Sequence, residues 1–300
     1  MIKRTIYFSN PCQLKTENLQ LVVKFSEEMG KSLHKIPIED IGVVIIDHAQ
    51  ISIGSALISH LLENNVALIT CNQSHHPTGL LLNLDGNKLQ SQKFREQLSA
   101  SLPLKKQLWQ QTISSKIANQ SDLLHKLGRP HDFMDNLVDK VKSGDPDNTE
   151  ALAASYYWKH LFDEDFEFTR SRFGHPPNNM LNYGYAILRA IVARSLVGSG
   201  LLPTVGIFHR NQYNAYCLAD DIMEPYRPFV DALVYQAFRN QGKFIELTPD
   251  LKKSILELPA MDVLLDGARS PLMNAVTRTT SSLAKCFAGE YKRILYPKFI

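Results

Sequence analysis

Three carboxylates, Asp220, Asp221 and Glu224, fall within five positions of the stretch NAYCLADDIMEPYRPFVDALV (residues 214–234). The stretch has the apolar spacing of a helix, so Asp221 with Glu224, three apart, or Asp220 with Glu224, four apart, would share a face. Like charges at these spacings repel, and the flanking Tyr216, Cys217, Leu218, Ile222 and Met223 are apolar. The acids are therefore either a solvated face with a capping residue or donors gathered by a cation. His209, fifteen residues before Glu224 and directly after the apolar VGIF, is either a core histidine or a third donor. Two acids and an imidazole suit Mg²⁺ or Mn²⁺, the imidazole inclining toward Mn²⁺, with positions left for water and a phosphate. Pro225 cannot donate to the carbonyl four residues back, which predicts a kink at Glu224.

A further acid stands in SGDPDNTEALAASYYWKHLF, where Asp147 or Asn148 is the predicted N-cap and Glu150 sits in the first turn, favoured there by the helix dipole. The helix that follows is mostly small or apolar, so it should be buried, and a carboxylate at the start of a buried helix needs a partner. Between these segments Arg170, Arg172, Arg189 and Arg194 interleave with Tyr183 and Tyr185. They suit phosphate contacts, or equally basic stems and core aromatics of a buried helix. His75 and His76 are adjacent on a loop with no third donor nearby, which argues against a metal site. No GxSxG, GxxxxGK[ST] or GxGxxG occurs.

These residues need elements to hold them. RTIYFSN, LQLVVKF, IGVVIID and NVALITC read as short strands, and Gly54 to Asn65 reads as a short helix closed by Asn. After the turn NLDGNK, helical spacing takes over: Gln90–Leu127, His131–Lys142, Thr149–Phe162, Asn179–Val197, Asn214–Arg239 and Asn274–Tyr291. The expected fold class is α+β: a small β-rich N-terminal domain, residues 1–87, followed by a larger all-helical catalytic domain, residues 88–300.

The chain has 300 residues, is 44% hydrophobic and carries a formal charge of +3, too small by itself to imply a nucleic-acid partner. Basic residues concentrate between Lys88 and Lys142 and from Arg278 onward, as solvated helix faces or as a basic surface. Cys12, Cys71, Cys217 and Cys286 form no CxxC pair and fit a reducing cytoplasm better than a disulfide frame. No segment reaches the roughly 18 apolar residues of a membrane span, and the first residues lack the apolar run of a signal peptide.

The motifs IPIEDIGVVIIDHAQISI, LLENNVALITCNQSHHPTGLLLNLDGN, SGDPDNTEALAASYYW, RFGHPPNNMLNYGYAILRA, GIFHRNQYNAYCLADDIMEPYRPFVD and TRTTSSLAK, in this order, resemble the CRISPR-associated integrase family over nearly the whole chain. This is the larger subunit of the spacer-acquisition machinery, in the branch that accompanies single-protein RNA-guided nucleases. The resemblance implies that Glu150, His209 and Glu224 hold a divalent metal, Mg²⁺ or Mn²⁺, and that Asp221 is a further acid near it. Some branches have Asp at the position of Glu224. Asp220 has no counterpart and is expected to be solvated. It further implies a homodimer formed through the β-domain and a heterohexamer with a small CRISPR adaptation subunit. The substrates would be double-stranded DNA, protospacer and repeat, joined by attack of a 3′-OH on a phosphodiester. The effector nuclease and an accessory adaptation protein are further partners it admits. A metal-dependent nuclease on branched DNA and a non-catalytic DNA scaffold remain as alternatives.

Overall fold

The structure, a computed structural model, describes residues 3–25, 34–162, 166, 168–241 and 246–300. Packing divides the chain into two compact units, Met1–Lys88 and Leu89–Ile300.

The first unit contains β1 (Arg4–Phe8), β2 (Cys12–Glu17), β3 (Gln20–Phe25), β4 (His34–Pro37), β5 (Ile41–Ile46), β6 (Ile51–Ile53), α1 (Ser55–Glu63), β7 (Ala67–Cys71) and β8 (Pro77–Leu81). One sheet has the order β1-β5-β7-β8, with β1, β5 and β7 parallel and β8 antiparallel to β7. The other has the order β4-β3-β2-β6, in which β2 is antiparallel to β3 and parallel to β6. Central β5 is an unbroken apolar run buried at all but its last residue, as a parallel strand covered on both faces must be. The β2–β3 hairpin turns at Asn18 and Leu19, both at positive φ, the backbone that matches the twist of paired strands. Asn65, at φ 54°, ends α1: its amide reaches Leu62 O and the Val66 amide reaches Leu61 O. Leu14, Leu21, Val23, Ile41, Val44, Leu57 and Leu61 form one core shared by both sheets and α1. The four strands expected from sequence correspond to β1, β3, β5 and β7. Additional β2, β4, β6 and β8 are short, or carry Lys, Gln, Glu and Pro, which weaken a strand signal.

The second unit contains α2 (Gln90–Ser99), α3 (Leu102–Lys126), α4 (Asp132–Val138), α5 (Thr149–Leu161), α6 (Asn178–Gly198), α7 (Cys217–Met223), α8 (Arg227–Gln241), α9 (Pro249–Ile255), β9 (Asp262–Leu265), β10 (Ala268–Pro271) and α10 (Leu272–Phe287). α6 is buried around most of its circumference, as a helix at the centre of a bundle is. Gly184 lets α8 approach it, since a Cβ there would lie 2.4 Å from Val230 Cγ1.

Three expectations need correction. Gln90–Leu127 is not one helix: the chain breaks at Ala100, and Ser101 caps α3 by accepting from the Leu104 amide, with Pro103 in the first turn. The unit is mostly but not wholly helical, because β9 and β10 form a hairpin around Asp266 and Gly267, both at positive φ. α4 stops four residues short of Lys142. Among the described residues no helix is long and apolar enough to cross a membrane, and no disulfide joins the four cysteines.

Candidate active site

His209 is held from below by Asp221. The segment before α7 folds over that carboxylate, and the amides of Ile207 (2.7 Å) and Phe208 (2.9 Å) donate to Oδ2. The His209 amide (3.2 Å) and its ring Nδ1 (2.5 Å) reach Oδ1. Gly206 is required for the wrap: a Cβ would stand 2.7 Å from Asp221 Oδ2 and 2.5 Å from His209 O. Trp109 of α3 stacks on Phe208 at 4.2 Å and meets the His209 ring edge-on. Gln97 of α2 fixes the loop upstream, bonding Leu202 O, Val205 O and the Leu202 amide. A ring whose Nδ1 is committed to a carboxylate presents Nε2 outward, the arrangement that orients metal-binding histidines. The hydrogen bond to Asp221 raises the His209 pKa; partial burial opposes this, and the charges of Asp221, Glu224 and Glu150 add to it. Asp221 is completely buried and its oxygens are taken up by this wrap, so it supports His209 and does not face open space.

Glu224 follows α7 directly. The helix gives way there to a single 3-10 turn, Glu224–Tyr226, and Asn119 of α3 donates to the buried Pro225 carbonyl at 2.7 Å. Glu150 occupies the first turn of α5. Asn148 is the N-cap residue, but at φ 52° its side chain makes no cap; the Asp145 carboxylate does so instead, accepting from the Thr149 and Glu150 amides. The Glu150 side chain is thereby left for other partners.

Between the two glutamates sits a residue absent from the sequence-based candidates. The Lys116 ammonium lies 2.6 Å from Glu150 Oε1 and 2.6 Å from Glu224 Oε2. The first contact is a hydrogen bond and the second is an ion pair to the buried Glu224 carboxylate. Arg227 Nε lies 2.9 Å from Glu224 Oε1. Burial alone would raise the Glu224 pKa, but Arg227 and Lys116 outweigh it and hold the carboxyl below its usual range. Burial likewise opposes the charge on Lys116, and Glu224 and Glu150 overcome it.

A cavity of about 180 Å³ opens beside this cluster, with Lys116, Trp158, Arg170, Tyr185 and Asp231 on its walls. The buried Asp231 carboxylate accepts from Tyr157 (2.9 Å) and Tyr185 (2.5 Å) hydroxyls. Arg227 and Arg170 lie over the Tyr185 ring, at 4.6 and 5.3 Å from its centroid. Cations and aromatic faces thus line the approach to Glu224.

The remaining arginines separate. Arg170 bonds Asn178 and Asn182, and exposed Arg172 lies over the exposed Phe173 ring. Arg189 is paired with Asp220, Nε to Oδ1 at 2.6 Å. Asp220 is therefore not the solvated acid expected of it: it is buried, and its second oxygen accepts from Asn214 at 2.7 Å. Arg194 is buried within α6, where desolvation lowers its pKa to about 10, which favours the buried basic stem of the two alternatives.

Two carboxylates and an imidazole are residue types that could hold Mg²⁺ or Mn²⁺. The structure fits that chemistry in one further respect: Glu150 and Glu224 already flank a cation. Among the described residues, the one group of three donors lying within 4.8 Å of one another is elsewhere, His131, Asp132 and Asp135 at the start of α4, and both its acids are exposed. Lys116 was legible in principle. It falls on the buried face of α3 in register with Ile113, Ile117 and Gln120, which marks it as an inward charge in what reads as a basic surface run.

Residues 6–247 match the family model described as CRISPR associated protein Cas1. The chain is 35% identical over 284 residues to the CRISPR-associated endonuclease Cas1 of Neisseria meningitidis serogroup C (strain 8013), covering 94% of this chain and 91% of the relative. Its fold resembles that of a casposase bound to integration product, with a TM-score of 0.77 at 20% identity over 98% of this chain and 92% of that one. It also resembles a chain of a Cas6-RT-Cas1–Cas2 complex, with a TM-score of 0.73 at 19% identity over 97% of this chain and 35% of that one.

Proposed function

The chain belongs to the Cas1 family, and from that premise we propose that it is a metal-dependent DNA integrase of CRISPR adaptation. The reading rests most on one observation: Glu150 and Glu224, seventy-four residues apart, flank a single cation at 2.6 Å each. Glu150, Glu224 and His209 Nε2 would hold a divalent metal. When bound, that ion supplies Lewis-acid stabilisation of charge at the scissile phosphate.

The chain's own residues do the rest. Asp221 fixes the ring of His209 and its tautomer, so that Nε2 stays a donor to the site. Arg227 holds the Glu224 carboxylate, Arg170 on the cavity wall offers a guanidinium group to the DNA backbone, and exposed Arg172 offers another. The nucleophile arrives on the substrate: a protospacer 3′-OH attacks a repeat phosphodiester, one P–O bond forms, one breaks, and the displaced strand leaves as a 3′-OH. The number of phosphodiester bonds is conserved, so no nucleotide hydrolysis is needed and no protein Ser or Cys nucleophile is called for. The family premise and the fold likeness to a Cas1–Cas2 assembly support a small adaptation subunit as partner. The homodimer through the β-rich unit and the heterohexamer belong to the same reading.

The test combines the protein with its small partner subunit, a short duplex with free 3′-OH ends, a supercoiled plasmid carrying a repeat array, and Mg²⁺ or Mn²⁺. Covalently joined DNA is expected, and His209→Ala or Glu224→Ala should abolish it while the fold is kept; unchanged joining in either variant would remove the site assignment. The name of the Neisseria relative favours a second reading, endonuclease action at the same site. Cut DNA without joined product would select it.

A further inference from the structure

The Lys116 side chain stands where the two carboxylates converge, and it has a second place to go. Gln120 lies one turn further along α3, on the same face, where residues four apart meet. Its Oε1 is buried and has no hydrogen-bond partner. A buried acceptor left unpaired is costly and uncommon, and so asks for a donor. Both residues line the cavity beside Glu224, whose volume of about 180 Å³ admits the moving ammonium. In the position observed, the ammonium pairs with Glu150 and Glu224 and leaves Gln120 unsatisfied.

We propose that Lys116 is an internal counter-cation of the metal-free site, and that metal binding displaces its ammonium from Glu150 and Glu224 into the cavity, where Gln120 Oε1 receives it. This rests on reading Glu150, His209 and Glu224 as the metal-holding set. Two carboxylates brought together without a cation would repel and be desolvated without compensation. Lys116 removes that penalty while the site waits, and its charge competes with the incoming ion. Displaced, the ammonium lies among Arg170, Arg227 and Tyr185, adding one positive charge to the cavity wall where a DNA phosphate would approach. No proton is transferred; the step is an exchange of one cation for another.

The experiment titrates Mn²⁺ into the full chain without DNA, by calorimetry and by electron paramagnetic resonance of free Mn²⁺, for wild type, Lys116→Met, Gln120→Leu and His209→Ala. Lys116→Met should bind Mn²⁺ at least tenfold more tightly and gain more in melting temperature on adding it. Gln120→Leu, which removes the waiting acceptor, should bind several-fold more weakly. Equal or weaker binding by folded Lys116→Met would overturn the lysine's role while leaving the metal site intact. Should Lys116→Met fail to fold, Gln120→Leu decides, and an affinity equal to wild type overturns the exchange. If His209→Ala leaves the titration unchanged, the metal assignment fails and the proposal falls with it.

Discussion

Each unit of the molecule contains a histidine whose Nδ1 contacts a buried aspartate. In the first unit His75 meets Asp47 at 2.8 Å, and in the second His209 meets Asp221 at 2.5 Å. Both aspartates are essentially inaccessible, and both rings are partly exposed, with side chains at 58% and 42% of full accessibility. Locally the two pairs are near equivalents. They differ in what lies beyond the ring. Asp47 also binds the Tyr7 hydroxyl, and His75 sits at φ 58° in a loop with no second carboxylate paired to it among the described residues. His209 lies in the field of Glu224 and Glu150, with Lys116 and the cavity beside them. An oriented imidazole is thus only a preparation for chemistry; convergent charge from distant segments turns it into a site.

That contrast can be attacked from several sides. His209→Ala should lower DNA joining by at least roughly 100-fold, because it removes the donor that the supporting carboxylate serves, as read from joined plasmid on a gel. Asp221→Asn should weaken Mn²⁺ binding about 10- to 100-fold without abolishing it, since the ring loses its anchor and its fixed tautomer.

A third prediction concerns the cavity wall. Burial raises the Asp231 pKa to about 6, partly offset by the Tyr185 and Tyr157 hydroxyls, from an ordinary 3.8. The folded chain therefore binds more protons than the unfolded chain between these values, and this group's contribution to stability falls as pH rises through that window and is flat above it. Melting curves from pH 4 to 7 should show a pH-dependent difference between wild type and Asp231→Asn below about 6, and a constant difference above. Asp220→Ala, which breaks a pair whose arginine is 41% exposed, should lower stability by no more than about 1 kcal/mol in a urea melt. Smallest of all, His75→Ala should leave joining within twofold of wild type; a large loss there would erase the distinction between the two pairs.

The placement of Glu224 and Glu150 within their own elements was legible along the chain because neighbouring residues set it. Pro225 stops the α-helical ladder, so Glu224 stands at a break that the proline announces. Glu150 could be placed in the first turn of a helix, and family motifs then linked it to His209. Partners contributed by remote elements were not legible. Asp220 looked solvated because Arg189, on α6, is thirty-one residues away. Asp145 replaces the expected cap because Asn148 adopts a left-handed backbone, which residue type alone does not dictate. Lys116 was absorbed into a basic run, although its register with Ile113 and Ile117 pointed inward. The β9–β10 hairpin lies between stronger helical signals, and Asp266–Gly267 is the turn pair that marks it.

The chemistry of the site depends most directly on where a divalent ion binds. Crystals of the full chain grown with Mn²⁺ and measured for anomalous scattering would locate it. The expected result is a peak bounded by Glu150, Glu224 and His209 Nε2, with the Lys116 ammonium withdrawn toward Gln120. A peak at His131, Asp132 and Asp135 with none between the glutamates would contradict it.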